Sequence, residues 1–115
     1  MKNKFLSVLS LFLTFGCSSN GLKLTDEWDK TFRKSDKVNH RKVTFKNRYG
    51  ITLAADLYIP KNLKGKAAAL AISGPYGAVK EQSSGLYAQT MAERGFVALA
   101  FDPSYTGESG GKPRN

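Results

Sequence analysis

Two stretches of the chain gather residue types that could do chemistry. The first is Phe101–Gly111, FDPSYTGESGG, which holds two acids, two serines, a tyrosine and three glycines directly behind an apolar run. Asp102 and Ser109 are the side chains to weigh, and neither reads as a catalytic group. A nucleophilic serine needs a base beside it and a sharp strand–Gly-x-Ser-x-Gly–helix elbow that exposes its hydroxyl. Ser109 has no such context, so a structural turn is expected instead. In that turn Asp102 caps nearby N–H groups, while Gly107, Gly110 and Gly111 take backbone angles that other residues resist. The second stretch is Ser73–Gln82, SGPYGAVKEQ, also behind an apolar run. Its proline has no N–H to donate. As a dinucleotide loop it lacks the third glycine and the downstream acid. The chain has one histidine, His40, and one cysteine, Cys17. They cannot supply the three or four ligands of a usual metal site, so neither metal nor cofactor is expected. His40 reads as an ordinary surface residue.

The elements that must carry these loops follow from periodicity. RKVTFKN alternates, with Val43 and Phe45 on one face, which predicts a half-buried strand. Asn47 and Gly50 supply a turn, and ITLAADLYIP alternates again, so the two strands form an antiparallel hairpin. In the second strand Ile51, Leu53, Ala55, Leu57 and Ile59 share one face, and Thr52, Ala54, Asp56 and Tyr58 the other. The pattern then changes. AAALAI (Ala67–Ile72) and FVALAF (Phe96–Phe101) are apolar throughout, as strands buried on both faces of a parallel sheet are. Between them, SSGLYAQTMAERG predicts a helix capped by Ser83 or Ser84 and ended by Gly95. Strand, helix and strand make a βαβ unit.

An antiparallel hairpin leading into a βαβ unit is the order in which α/β-hydrolase folds begin. VTFKNRYGITLAADLYIPK, ISGPYGAVKEQ and ERGFVALAFDPSYTGESGG, in that order, resemble the dienelactone-hydrolase-like group of that superfamily, from about Val38 onward. The segment DPSYTGES matches the family's Asp-x-Arg-Gly-x-Gly-x-Ser at Asp102, Gly107 and Ser109, with Ser104 and Tyr105 in place of Arg-Gly. The fold class implied is α/β, the N-terminal portion of an α/β-hydrolase fold, ending before the nucleophile elbow. The loop after the first buried strand gives such enzymes one N–H of their oxyanion hole. With Pro75 unable to donate, the resemblance assigns that role to Tyr76, and to Gly77 as second choice. The family's nucleophile and its C-terminal histidine have no counterpart here. The full-length form is expected to hydrolyse a small-molecule ester, lactone or amide, and this chain alone is expected to be inactive.

Residues 1–16 carry two lysines and then the apolar run FLSVLSLFLTFG, which is shorter than the roughly 20 residues of a membrane span. They read as a signal peptide. LTFGC resembles a lipoprotein signal, with Gly16 as in that pattern and Thr14 where it prefers Leu, which implies lipidation of Cys17 and a membrane anchor in the bacterial cell envelope. A lone cysteine in an oxidising compartment would otherwise remain a free thiol. Residues 17–37 form a polar tether with a short helix or loop, in which Trp28 and Phe32 pack on the domain of residues 38–115. The net charge of +9 is scattered, with no basic helix and no basic–aromatic motif, so no nucleic-acid partner is expected. A different class of protein, a small non-catalytic envelope lipoprotein serving as a binding or structural module, fits the same leader.

Overall fold

The computed structural model describes residues 22–112. In chain order they form strands β1 (Val38–Lys46), β2 (Thr52–Pro60) and β3 (Ala69–Ser73), helix α1 (Ser83–Glu93) and strand β4 (Val97–Phe101). The four strands make one sheet in the order β1-β2-β4-β3. β1 and β2 pair antiparallel from Val38↔Pro60 to Lys46↔Thr52. Their turn is built by Asn47, whose carboxamide oxygen accepts from the N–H groups of Tyr49 and Ile51, while Gly50 takes φ 76°. β4 runs antiparallel to β2 and parallel to β3, which requires the crossover that α1 supplies.

The register sorts the side chains into two faces. On one lie His40, Tyr58, Ala98 and Leu70 in one row, and Lys42, Asp56, Ala100 and Ile72 in the next. α1 packs on this face through Ala88 and Ala92, against the buried Ala98 and Ala100. Alanine on both sides lets helix and sheet approach closely. A Cβ added at Gly85 would lie 2.2 Å from the Lys80 carbonyl oxygen. The rest of this face is covered by residues 22–37, an irregular strap with no helix. Trp28 and Phe32 meet edge to face at 5.6 Å, and Trp28 meets the His40 ring at 5.1 Å. Backbone and side-chain bonds fix the strap to the helical side: Thr31 N–H donates to the Glu81 carbonyl, Ser35 N–H to the Gln89 side chain, and Gln89 Nε2 to the Arg33 carbonyl.

Three expectations need correction. β2 does not have one solvent face, because Ala54, Asp56 and Tyr58 are buried as fully as Ala55. The strap covers them, and alternation cannot show a cover that comes from elsewhere in the chain. β3 is not buried on both faces. It is an edge strand, and Ala69, Ala71 and Ser73 are exposed. Ser83 and Ser84 are not caps but the first residues of α1, which is preceded by Gln82 and has no side-chain cap. The helix buries its small residues, while Leu86 and Tyr87 point outward. At its other end Gly95 does take the left-handed conformation, φ 102°, and donates to the Ala92 carbonyl.

Candidate active-site edge

Two loops leave the carboxyl ends of β3 and β4 side by side, where ligands of open α/β sheets bind. In the loop after β3, Ala78 N–H donates to the Pro75 carbonyl at 3.1 Å, and Gly77 has φ 80°. Tyr76 and Gly77 are therefore the central residues of a tight turn. Their N–H groups have no acceptor among the described residues, and Tyr76 is fully exposed. This turn thus presents two adjacent backbone donors to the outside.

The loop after β4 is held mainly by its own polar groups. Asp102 is buried. Its Oδ1 accepts from Lys80 N–H at 2.7 Å, and its Oδ2 from Glu108 N–H at 3.1 Å and from the Lys80 ammonium at 2.9 Å. Gly107 passes directly over this carboxylate with φ 53°, so close that a Cβ there would lie 2.3 Å from Oδ2. Ser109 Oγ donates to the Asp102 carbonyl at 2.7 Å and accepts from Ala54 N–H at 2.9 Å. The hydroxyl thereby bridges the backbones of β2 and the β4 loop, and both of its hydrogen-bonding roles are committed. Tyr105, at φ 69°, lies with its ring against Gly111.

Between the loops and the strap lies a charge network that the residue spacing does not reveal. Lys80 is fully buried, with its ammonium on Asp102, on Glu108 at 2.7 Å and on Glu81. Lys42 reaches Glu108 at 2.8 Å and Asp29 at 2.9 Å. Burial alone would lower the Lys80 pKa, but the bonds to Glu108, Glu81 and Asp102 outweigh it and raise it. Burial likewise pushes Glu108 up, and the ammoniums of Lys42 and Lys80 bring it below its usual value. Asp29 is held at about 2, burial being outweighed by Lys30 and Lys42. Carboxylate oxygens of Asp29, Glu81 and Glu108 lie within 4.8 Å of one another, a spacing compatible with a cation. The two lysines already supply the positive charge there.

A second buried group sits under the strap. Asp56 Oδ1 is 2.7 Å from His40 Nε2, and its Oδ2 is 3.1 Å from the Lys30 ammonium. Burial raises the Asp56 pKa, but His40 and Lys30 together bring it below normal. His40 is thus not an ordinary surface residue: it is a half-buried partner of a buried acid, edge-to-face with Trp28 and tilted against Tyr58. Burial, with the Asp56 charge beside it, raises the pKa of Tyr58. Its hydroxyl has no hydrogen-bond partner among the described residues.

The structure therefore brings Asp102, Gly107 and Ser109 into one turn and places Tyr76 and Gly77 in the neighbouring one. Lys80 connects the two. Cys17 and the leader lie outside the described residues. Among the described residues no serine is paired with a histidine. Only a lysine directly after an apolar strand and its loop could have hinted at Lys80.

No family model matches the chain. Solved structures similar to it are of the α/β-hydrolase type. They include an α/β hydrolase, GrgF, from Penicillium sp. sh18, at 30% identity and TM-score 0.56, over 67% of this chain and 26% of that one. Acetyl xylan esterase 1 from Thermoanaerobacterium sp. shares the fold at TM-score 0.59 and 19% identity, over 94% of this chain and 32% of that one. Much nearer in sequence is the uncharacterized protein PA2218 of Pseudomonas aeruginosa, 75% identical over 101 residues, which are 87% of this chain and 27% of that protein. Its crystal structure superposes at TM-score 0.80 over 84% of this chain and 30% of that one. The uncharacterized protein YcjY of Escherichia coli is 46% identical over 65% of this chain and 26% of its own length. The chain spans about a quarter of the length of the curated relatives it matches. Its mixed α/β fold, with a four-stranded sheet, is that of a part of an α/β hydrolase.

Proposed function

We propose that this chain forms the N-terminal portion of a dienelactone-hydrolase-like enzyme that cleaves a small ester, lactone or amide, and that it is inactive alone. The observation that carries this reading is the Pro75–Ala78 turn. It presents the N–H groups of Tyr76 and Gly77, without internal acceptors, at the carboxyl edge of a sheet shared with solved hydrolases. One donor so placed, Tyr76 N–H or, as second choice, Gly77 N–H, suits the oxyanion of a tetrahedral intermediate, the other donor coming from the residue after the nucleophile. The nucleophile, its base and the orienting acid would come from the portion of the relatives that this chain does not span. We further propose that residues 1–16 act as a signal and that Cys17 carries the lipid that anchors the protein in the envelope.

The test starts from the DNA beyond the codon for Asn115. Translation in all frames should yield a strand–Gly-x-Ser/Cys-x-Gly–helix within about 100 residues, and the extended protein should turn over short nitrophenyl esters. The 115-residue chain should show background rates. Absence of that motif, or an extended protein inert on esters, lactones and amides, favours the non-catalytic lipoprotein module. Mass spectrometry of the envelope fraction tests the leader. An unmodified Cys17 or a retained Met1 would refute the anchor.

A further inference from the structure

We propose that Lys80 is a positioning residue, whose buried ammonium clamps the Tyr76–Gly77 turn to the loop after β4 and so sets where the turn's oxyanion donor points. The proposal rests on the oxyanion reading of that turn and adds the device that holds it in place.

The geometry is specific. Lys80 lies two residues beyond the turn that Ala78 closes on Pro75. Its backbone N–H and its ammonium both grip one carboxylate, Asp102, at 2.7 and 2.9 Å. Its carbonyl faces Gly85 of α1, where a Cβ would lie 2.2 Å from it. The backbone at Lys80 is thus held from two sides, by β4 through Asp102 and by the helix. Beyond Asp102 the ammonium is bonded to Glu81 and Glu108, so it meets three acids from two loops. Glu108 continues the connection to the strap, accepting from Thr25 N–H at 3.3 Å and from Lys42. A hydrophobic side chain could fill this space, but it could not bind Asp102 and Glu108 together. Few other bonds hold the turn. Upstream of Lys80 the loop makes the Ala78–Pro75 bond and a pair of contacts between Val79 and Gln82, Val79 N–H to the Gln82 side chain and Gln82 N–H to the Val79 carbonyl. Loss of the clamp should therefore free the turn before it loosens the sheet.

Displacing an oxyanion donor by about an ångström costs on the order of 10²-fold in rate. In the extended enzyme, K80M should lower kcat on a short nitrophenyl ester by about 10²-fold, with KM changed less than about threefold. K80R should restore part of kcat. In the same variants, NMR relaxation of the Tyr76 and Gly77 amides should show disorder in K80M and recovery in K80R, with amides of β1 and β2 unchanged. If K80M does not fold, E108Q serves as the milder variant, since it leaves Lys80 on Asp102. It should give a smaller kcat loss, about 3–10-fold. A kcat within threefold of wild type in both K80M and E108Q overturns the proposal, as does a turn that stays ordered in K80M. A wild-type extended enzyme without esterase activity would sink the hydrolase reading instead, and the amide measurement would still decide whether Lys80 holds the turn.

Discussion

The two faces of the sheet are finished in opposite ways. The face bearing His40, Asp56 and Tyr58 is sealed by α1 and the strap, and its charges are paired within the chain. The other bears Leu53 and Ala55, which are buried, and Val43, Phe45, Leu57, Ile59, Val97, Leu99 and Phe101, which are half-buried or exposed, with the edge of β3 beside them. Among the described residues no element packs over that second face. The sealed face shows that a polar group can be buried cheaply only when its partner arrives with it. Asp56 is tolerated because His40 and Lys30 come from β1 and the strap. The open face shows the reverse case: apolar strands fold into a sheet without a cover, but leave surface that favours association.

The largest expected effect separates the faces by pH. Asp29, Asp56 and Glu108 have folded pKa values below their ordinary ones, so their contribution is present above about pH 4 and is lost as pH falls through the folded values, which for Asp29 is about 2. Lys42 and Lys80 have raised values, so theirs is present below the ordinary lysine pKa of 10.5 and is lost only above it. Circular dichroism melts should show a plateau between roughly pH 5 and 10, falling on both sides. A melting temperature that rises on acidification below pH 4 would contradict the pairing.

Gly107→Ala comes next. It places a methyl group against Asp102 and demands a left-handed angle from alanine. Strain and overpacking together should cost roughly 3–5 kcal/mol, read as a lowered denaturation midpoint. A loss below about 1 kcal/mol would show that the loop can move off the Asp102 carboxylate.

The smallest effect on stability belongs to the open face. Ala71→Lys puts a charge on the exposed side of edge strand β3, and should change stability by no more than about 0.5 kcal/mol. It should also reduce self-association of the chain, measured by size-exclusion chromatography with light scattering. If the unsubstituted chain is already a soluble monomer with a sharp melt, the open face is no liability and the contrast between the faces loses its consequence.

What the sequence determined by itself was local. Alternation in β1 and β2, the Asn47–Gly50 turn, Gly95 after the helix and the glycine-rich loop after β4 depend on neighbours a few residues apart, and periodicity and backbone propensity record such neighbours. The tertiary structure decided what depends on distant partners. Asp56 looked like the solvent side of a strand until residues 22–37 covered it. His40 looked idle until β2 brought Asp56 to 2.7 Å. Lys80 and Glu108 are 28 positions apart, and nothing in either neighbourhood announces their ion pair. The inward face of the helix was also a tertiary matter: Ala88 and Ala92 form it, while Leu86 and Tyr87 lie outside. Burial is a property of what packs on a residue, and here close approach between helix and sheet favoured the smallest side chains.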